Sequence, residues 1–183
     1  MGLLTACLGT PSPEASNSAT ADDGTPKLSC PEGTAQQSGT SPEGEEYWCD
    51  RSGVMHGPFL KFHPNGMRAA SGTWEENQRS GQWTWWFNNE QTKMKGKYDR
   101  GKQTGSWTWW HDNGNRQQEG DFLLGRRQGK WTTFYPSGNR ESEGMYHNDN
   151  RSDSWKYYDD DDTDKVVRTE SYENGKVVEK PKR

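Results

Sequence analysis

The chain has 183 residues, of which 27% are hydrophobic, against roughly 45–50% in an average globular domain when glycine is counted in. Leu, Val and Phe together number 17 and isoleucine is absent. This excludes a large aliphatic core and a buried parallel sheet, which reads as Val/Ile/Leu runs, and no apolar run is long enough for a membrane-spanning helix. A net charge of only −4, with 10 Trp, 7 Tyr and 5 Phe, separates the chain from disordered sequences of similar polarity, because rings bury much area per residue.

Residues 1–46 contain no aromatic residue, seven acids and a single base, Lys27. Such a segment buries too little surface to offset its chain entropy, so residues 8–46 are expected to form a flexible, low-complexity tether. Ahead of it, Leu4-Thr5-Ala6-Cys7 resembles a bacterial lipobox, whose cysteine is lipidated after signal cleavage. Only six residues precede Cys7 and none is basic, so residues 1–7 read as the remnant of a lipoprotein signal. Either translation begins upstream of Met1 or the match is accidental; the other cysteines agree with export and favour the first. Leu8, where that family uses aspartate for inner-membrane retention, implies an outer-membrane anchor. Lipidation of Cys7 leaves Cys30 and Cys49, which in an oxidising compartment would close a loop of about 20 residues, worth on the order of 3 kcal/mol. The other reading is two reduced cytosolic thiols.

From residue 47 to 176 the chain repeats. Gly57, Gly81, Gly105, Gly129 and Asp153 follow one another at a step of 24. Two residues after each comes Phe59, Trp83, Trp107, Trp131 or Trp155, and three further on Phe62, Trp86, Trp110, Phe134 or Tyr158. Midway lies a turn signal, Asn65-Gly66, Asn89-Glu90, Asn113-Gly114 or Ser137-Gly138. Late in each unit comes a Gly-x-aromatic: Gly72 with Trp74, Gly96 with Tyr98, Gly120 with Phe122, Gly144 with Tyr146. The fifth unit is degenerate, with Asp159–Asp162 at its turn and Tyr172 two residues late. Two turns per unit leave about eight residues for each of two strands, and Asn-Gly predicts a two-residue type I′ hairpin loop. The register then sets Phe59 opposite Gly72 and Trp107 opposite Gly120, a ring covering each glycine. Alternation puts Trp83 and Trp85 on one face and Trp86 on the other. The fold expected is all-β: an elongated single-layer antiparallel meander over 47–176, with aromatic rows on both faces, followed by a basic tail, 177–183.

The pattern Gly96-x-Tyr98-x-x-Gly101-x-x-x-Gly105-x-Trp107, repeated from Gly120 to Trp131, resembles MORN repeats, and more closely the bacterial variant of the YwqK-type antitoxin family. The resemblance covers about 57–176. It implies an elongated antiparallel sheet and contact with proteins or lipids; the antitoxin label has no chemical support in these residues. Glu90 in place of the turn glycine, Asn77 and Asp149 in place of the late glycine, and the acidic fifth unit depart from the pattern.

Catalytic chemistry is not visible. His56, His63, His111 and His147 fall in different units and form no H-E-x-x-H, and there is no nucleophile elbow, P-loop or dinucleotide fingerprint. The acidic run Asp159–Asp164 lacks the glycine and terminal Glu of a calcium loop and reads as a solvated hairpin tip. Residues 47–183 carry 22 bases and 20 acids, with no stripe suited to nucleic acid; Lys93, Lys95 and Lys97 read as a solvated strand face. The expectation is a protein that is no enzyme and holds no cofactor or metal. The candidate binding residues are Trp85, Trp109, Trp86 and Trp110, a row of indoles able to stack on sugar rings, lipid headgroups or a partner. Trp85 and Trp109 stand out because Lys61 and Thr133 occupy the equivalent sites, and a core position does not readily accept lysine. The function expected is a lipid-anchored envelope module that binds an unknown protein or glycan, touching the membrane only through its anchor. The alternative is a cytosolic, antitoxin-like protein that neutralises a toxin partner.

Overall fold

The computed structural model describes residues 19–20, 25–161 and 165–178. Strands β1 (Ala19–Thr20) and β2 (Pro26–Lys27) form a short antiparallel pair. All remaining strands belong to one sheet: β3 (Ala35–Ser41), β4 (Gly44–Arg51), then the units β5 (Val54–Phe62) with β6 (Arg68–Glu75), β7 (Gln78–Trp86) with β8 (Thr92–Asp99), β9 (Lys102–Trp110) with β10 (Arg116–Leu123), β11 (Arg126–Phe134) with β12 (Arg140–His147) and β13 (Asn150–Tyr158) with β14 (Val166–Glu173), and last β15 (Lys176–Val178). Its 13 strands lie in sequence order, an open antiparallel meander that spans roughly 60 Å at the usual strand spacing.

The expected register is observed, with Phe59 opposite Gly72, Gly57 opposite Trp74, and Trp107 opposite Gly120. Two details differ. The ring that covers each glycine comes from the next unit, not from the hairpin partner. Gly81, Gln82 and Trp83 together oppose the single Gly72, and this bulge leans the Trp83 indole back over β6. A methyl group on Gly72 would lie 2.1 Å from Trp83 Cδ2, and Gly96, Gly120 and Gly144 are covered in the same way by Trp107, Trp131 and Trp155. Each indole Nε1 donates to the carbonyl of the residue after its glycine, at 3.1–3.2 Å, so the buried N–H is satisfied.

The second difference is the turn chemistry. The tight type I′ geometry, positive φ at two successive residues, belongs to the turns between units: Ser52-Gly53, Glu76-Asn77, Arg100-Gly101, Leu124-Gly125, Asn148-Asp149 and Asn174-Gly175. Asn65-Gly66 and its equivalents lie in five-residue loops that begin with an i→i+3 bond, Gly66 N–H to His63 O, and only the fourth residue has positive φ. A bulge restores the pairing, Phe62 facing Arg68. Asparagine serves a different purpose here. Asn65 Oδ1 accepts from Met67 N–H and Asn65 Nδ2 donates to Asn88 O of the next unit; Asn89 and Asn113 reach Asp112 O and Pro136 O. At the opposite edge Gly101, Gly125 and Gly175 N–H groups donate to Arg79, Gln103 and Arg151 carbonyls. Both rows of turns are therefore laced from unit to unit.

The sheet begins before the first aromatic residue. β3 and the start of β4 occupy part of the segment expected to be a tether: an edge strand is held by backbone pairing with β4 along 35–41 and needs no rings. Leu28, buried with Tyr47, Cys49 and Leu60, caps this end, and Gln36 ties the approach by bonds to Leu28 N–H and Pro26 O. Cys30 and Cys49 are joined in a disulfide with Cα atoms 5.5 Å apart. Cys7 lies outside the described residues, as do 162–164 of the acidic tip. Val177 and Val178, placed in the tail by sequence, belong to β15.

Candidate functional site

The two faces of the sheet differ. One carries Phe59, Trp83, Trp107, Trp131 and Trp155 as a buried floor, with Trp74, Tyr98, Phe122, Tyr146 and Tyr172 set edge-on against it. Trp85 and Trp109 sit between floor indoles: Trp85 stacks on Trp83 at 5.4 Å and meets Trp107 at 6.0 Å, and Trp109 lies 5.5 Å from Trp107 and 5.8 Å from Trp131. They are half-buried, whereas Trp83 and Trp107 are 1% exposed. Across the middle of the other face the pairs are polar, Ser71 with Thr84, Lys95 with Thr108 and Glu119 with Thr132. Rings on that face stand beside the mid-unit turns, as Phe62, Trp86, Trp110, Phe134 and Tyr158, and at its near end, where Tyr47 pairs with Leu60 and meets Phe62 edge-on. Arg68, Arg116 and Arg140 lie over Trp86, Phe134 and Tyr158 at 5.3, 4.9 and 4.6 Å. The expected pair of aromatic rows is thus one broad row and one narrow row. Trp85 and Trp109 belong to the broad row; Trp86 and Trp110 alternate away from it.

Arginines complete the broad row. Arg79 is ringed by Trp74, Trp83, Trp85 and Tyr98 at 4.9–5.6 Å, and Arg127 and Arg151 stand 4.2 and 4.1 Å over Tyr146 and Trp155. Such contacts contribute about 0.5–2 kcal/mol each. At the far end Arg151 donates to Tyr157 and Tyr172 hydroxyls at 2.8 and 3.0 Å, and both phenols donate to Glu170. Burial, with the bonds to Tyr172 and Glu170, pushes the Tyr157 phenol well above the tyrosine range, while the bonds from Tyr172 and Tyr157 hold the Glu170 carboxyl low. The fifth unit thereby closes the row with a bonded polar cluster.

At the near end the row is open. The site held by Trp85 and Trp109 in the next two units is Lys61 here, and the site of Met94 and Gln118 is Ala70. The result is a groove of about 390 Å³ lined by Glu46, Lys61, Ala70, Trp74, Arg79 and Trp85, with Trp83 and Trp86 also reaching it. Lys61 Nζ donates to Glu46 at 2.6 Å and to Glu43 at 3.4 Å. The Glu46 bond holds the Lys61 ammonium above the usual lysine range against the opposing effect of burial. Of the sequence-predicted residues, Trp85 lines this groove and Trp86, the next residue of β7, borders it with its ring on the other face under Arg68; Trp109 and Trp110 do not line it. Sequence reasoning missed Arg79 and Lys61 as parts of the site, although Arg79, Arg127 and Arg151 recur at the phase of the repeat.

His63 and His111 tie neighbouring units together. His63 Nε2 lies 3.0 Å from Trp86 O and His111 Nε2 3.0 Å from Phe134 O; a carbonyl only accepts, so each Nε2 carries the proton. Among the described residues no group of three or more His, Cys, Asp or Glu is placed to hold a metal.

Residues 103–123 and 127–148 match the family described as MORN repeat variant. The chain carries MORN-type repeats. The match spans the third and fourth units; the other units share the step of 24. No curated protein sequence matches. Among solved structures, a chain of the "Glycosylation Associate Protein (Gap123) complex from Streptococcus agalactiae" aligns with 14% identity and a TM-score of 0.34, over 66% of this chain and 22% of that one. This chain thus spans about a fifth of that chain's length.

Proposed function

We propose that this MORN-type repeat protein is a non-catalytic binding module of the bacterial cell envelope. In this reading it is lipid-anchored through Cys7, sits at the outer membrane, and contacts a protein or glycan through its broad aromatic face. The observation that carries the reading is the contrast between the faces: one is paved with indoles and bears half-buried Trp85 and Trp109, while the middle of the other is paired and polar. Aromatic rings presented on a rigid sheet make contact area at low entropic cost. The Cys30–Cys49 bridge supports a location outside the cytoplasm, and is less suited to a cytosolic toxin-binding partner. The non-catalytic part of the reading rests on the repeat pattern, in which no catalytic motif is visible.

Photo-cross-linking in the native host tests the contact face. A photoreactive residue at position 85 or 109 is expected to give adducts that positions 108 and 132, on the polar face, do not; equal yields from both faces would overturn the assignment. Radiolabelled palmitate tests the anchor, with the gene expressed from its own upstream DNA. Label that disappears in Cys7→Ser is expected, and an unlabelled protein in the soluble fraction would refute the anchor.

A further inference from the structure

We infer that Asn174-Gly175, the turn between β14 and β15, is a site of spontaneous deamidation, and that the fold shields the other two Asn-Gly pairs from the same reaction. Asn-Gly stands at 65–66, 113–114 and 174–175. In each, the missing glycine side chain leaves that residue's backbone nitrogen unhindered for attack on the asparagine carboxamide carbon. By sequence the three pairs are alike; the structure separates them. Asn65 Oδ1 accepts from Met67 N–H and its Nδ2 donates to Asn88 O. Asn113 Oδ1 accepts from Asn115 N–H and its Nδ2 donates to Pro136 O at 2.7 Å. Both carboxamides are held at both ends, one end by the next unit. Asn174 is exposed, and its carboxamide makes no hydrogen bond among the described residues. Beyond β15 the sheet has no further strand to supply one.

The glycine nitrogens are bonded in all three turns: Gly66 N–H to His63 O, Gly114 N–H to His111 O and Gly175 N–H to Arg151 O at 3.0 Å. Each bond must open before the nitrogen can attack, and opening is easiest at the end of the sheet. β15 is three exposed residues, Lys176–Val178, paired on one side only. The strands flanking Asn65 and Asn113 are eight or nine residues long and lie inside the 13-stranded sheet. Opening free energies fall toward zero at fraying ends and rise toward the global value inside. Once free, the Gly175 nitrogen gives its proton to solvent base and bonds Asn174 Cγ, the Cγ–Nδ2 bond breaks, and ammonia leaves. Water then opens the succinimide at one of its two carbonyls, giving aspartate or, with the main chain rerouted through Cγ, isoaspartate. One water is consumed and one ammonia released. The isoaspartyl form adds a backbone atom to a tight turn with positive φ at both residues, and so loosens β15 from β14.

The test incubates the full chain in mildly alkaline bicarbonate made with heavy-oxygen water and follows each asparagine by peptide mass mapping. A parallel sample is held unfolded in urea. In the folded chain Asn174 is expected to take up the label at least about tenfold faster than Asn65 or Asn113. In urea the three rates should converge. Comparable rates at the three pairs in the folded chain, or no conversion at Asn174, would overturn the inference. A lead for Asn174 that is just as large in urea would overturn the role given to the fold. Methyl transfer by an isoaspartyl methyltransferase labels the rearranged product independently. Asn174→Gln is expected to remove most of that methyl label, and an undiminished label in this variant would refute the assignment.

Discussion

Gly96→Ala isolates the device that holds the sheet together. The methyl group would lie 2.1 Å from Cδ2, 2.2 Å from Cε2 and 2.5 Å from Cγ of Trp107, where carbon atoms pack at about 3.5–4.0 Å. The indole must therefore move by about 1.5 Å, and it has nowhere to go: it is 1% exposed, wedged against Tyr98 at 5.1 Å and Trp109 at 5.5 Å, and bonded to Lys97 O at 3.2 Å. Overpacking costs about 1–3 kcal/mol, the indole hydrogen bond about 1 kcal/mol, and the edge-to-face contact about 0.5–1.5 kcal/mol. The stiffer unfolded chain returns about 0.4–1 kcal/mol. A net loss near 3 kcal/mol is expected, roughly a 6–12 °C fall in melting temperature for a domain of this size, read by urea and thermal unfolding. Gly105→Ala is the control. It has positive φ but open space around it, so it should lose only the backbone term, about 1–2 kcal/mol. A loss below about 1 kcal/mol for Gly96→Ala, or a loss no larger than that of Gly105→Ala, would refute the argument that the glycine exists to seat the ring.

Glu90 holds φ 67° at the site of Gly66, Gly114 and Gly138, so Glu90→Gly is expected to raise stability by about 0.5–1 kcal/mol in the same assay, relief of left-handed strain outweighing the looser unfolded chain. Cys30→Ser with Cys49→Ser, or reduction, should cost about 3 kcal/mol, measured as a drop in melting temperature under dithiothreitol that the double variant does not repeat. For Glu143, burial acts to raise the pKa, but hydrogen bonds from Lys130 and Tyr158 overcome it and leave the carboxyl below its ordinary value of 4.5. A lowered folded pKa gives stability that is present above 4.5 and lost as the pH falls through the folded value. Wild type should therefore lose more stability than Glu143→Gln on acidification, and parallel curves would contradict the role given to this pair.

Much of the fold was legible because the repeat fixes phase and the phase fixes register. Phe59 opposite Gly72 followed from the numbering alone, and so did the separation of Trp85 from Trp86. The direction in which a ring leans was not legible, since it depends on a bulge of Gly81, Gln82 and Trp83 against one residue and a strand alternation rule carries no information on bulges. The Asn-Gly pairs pointed to the right places for turns but to the wrong geometry. Asparagine there binds the neighbouring unit, a contact between chain segments 23 residues apart that a local turn signal does not encode. Strand β3 was hidden because an edge strand of Gln, Ser and Thr draws its stability from its partner's backbone. At the site, Trp85 and Trp109 were picked out by the oddity of Lys61 at the same phase. The groove that Lys61 and Ala70 open beside Arg79 required the packing of three strands to be seen.

The aromatic row consists of a buried floor and half-buried crests, and two pairs of alanine variants tell them apart. Trp85→Ala/Trp109→Ala removes two half-buried rings and is expected to keep a cooperative thermal transition, lowered by several degrees. Trp83→Ala/Trp107→Ala removes two indoles that are 1% exposed, at about 3–5 kcal/mol each, enough to exhaust a marginal stability of about 5–15 kcal/mol, and is expected to abolish the transition. Loss of folding in both pairs alike would make Trp85 and Trp109 part of the floor and contradict the contact surface.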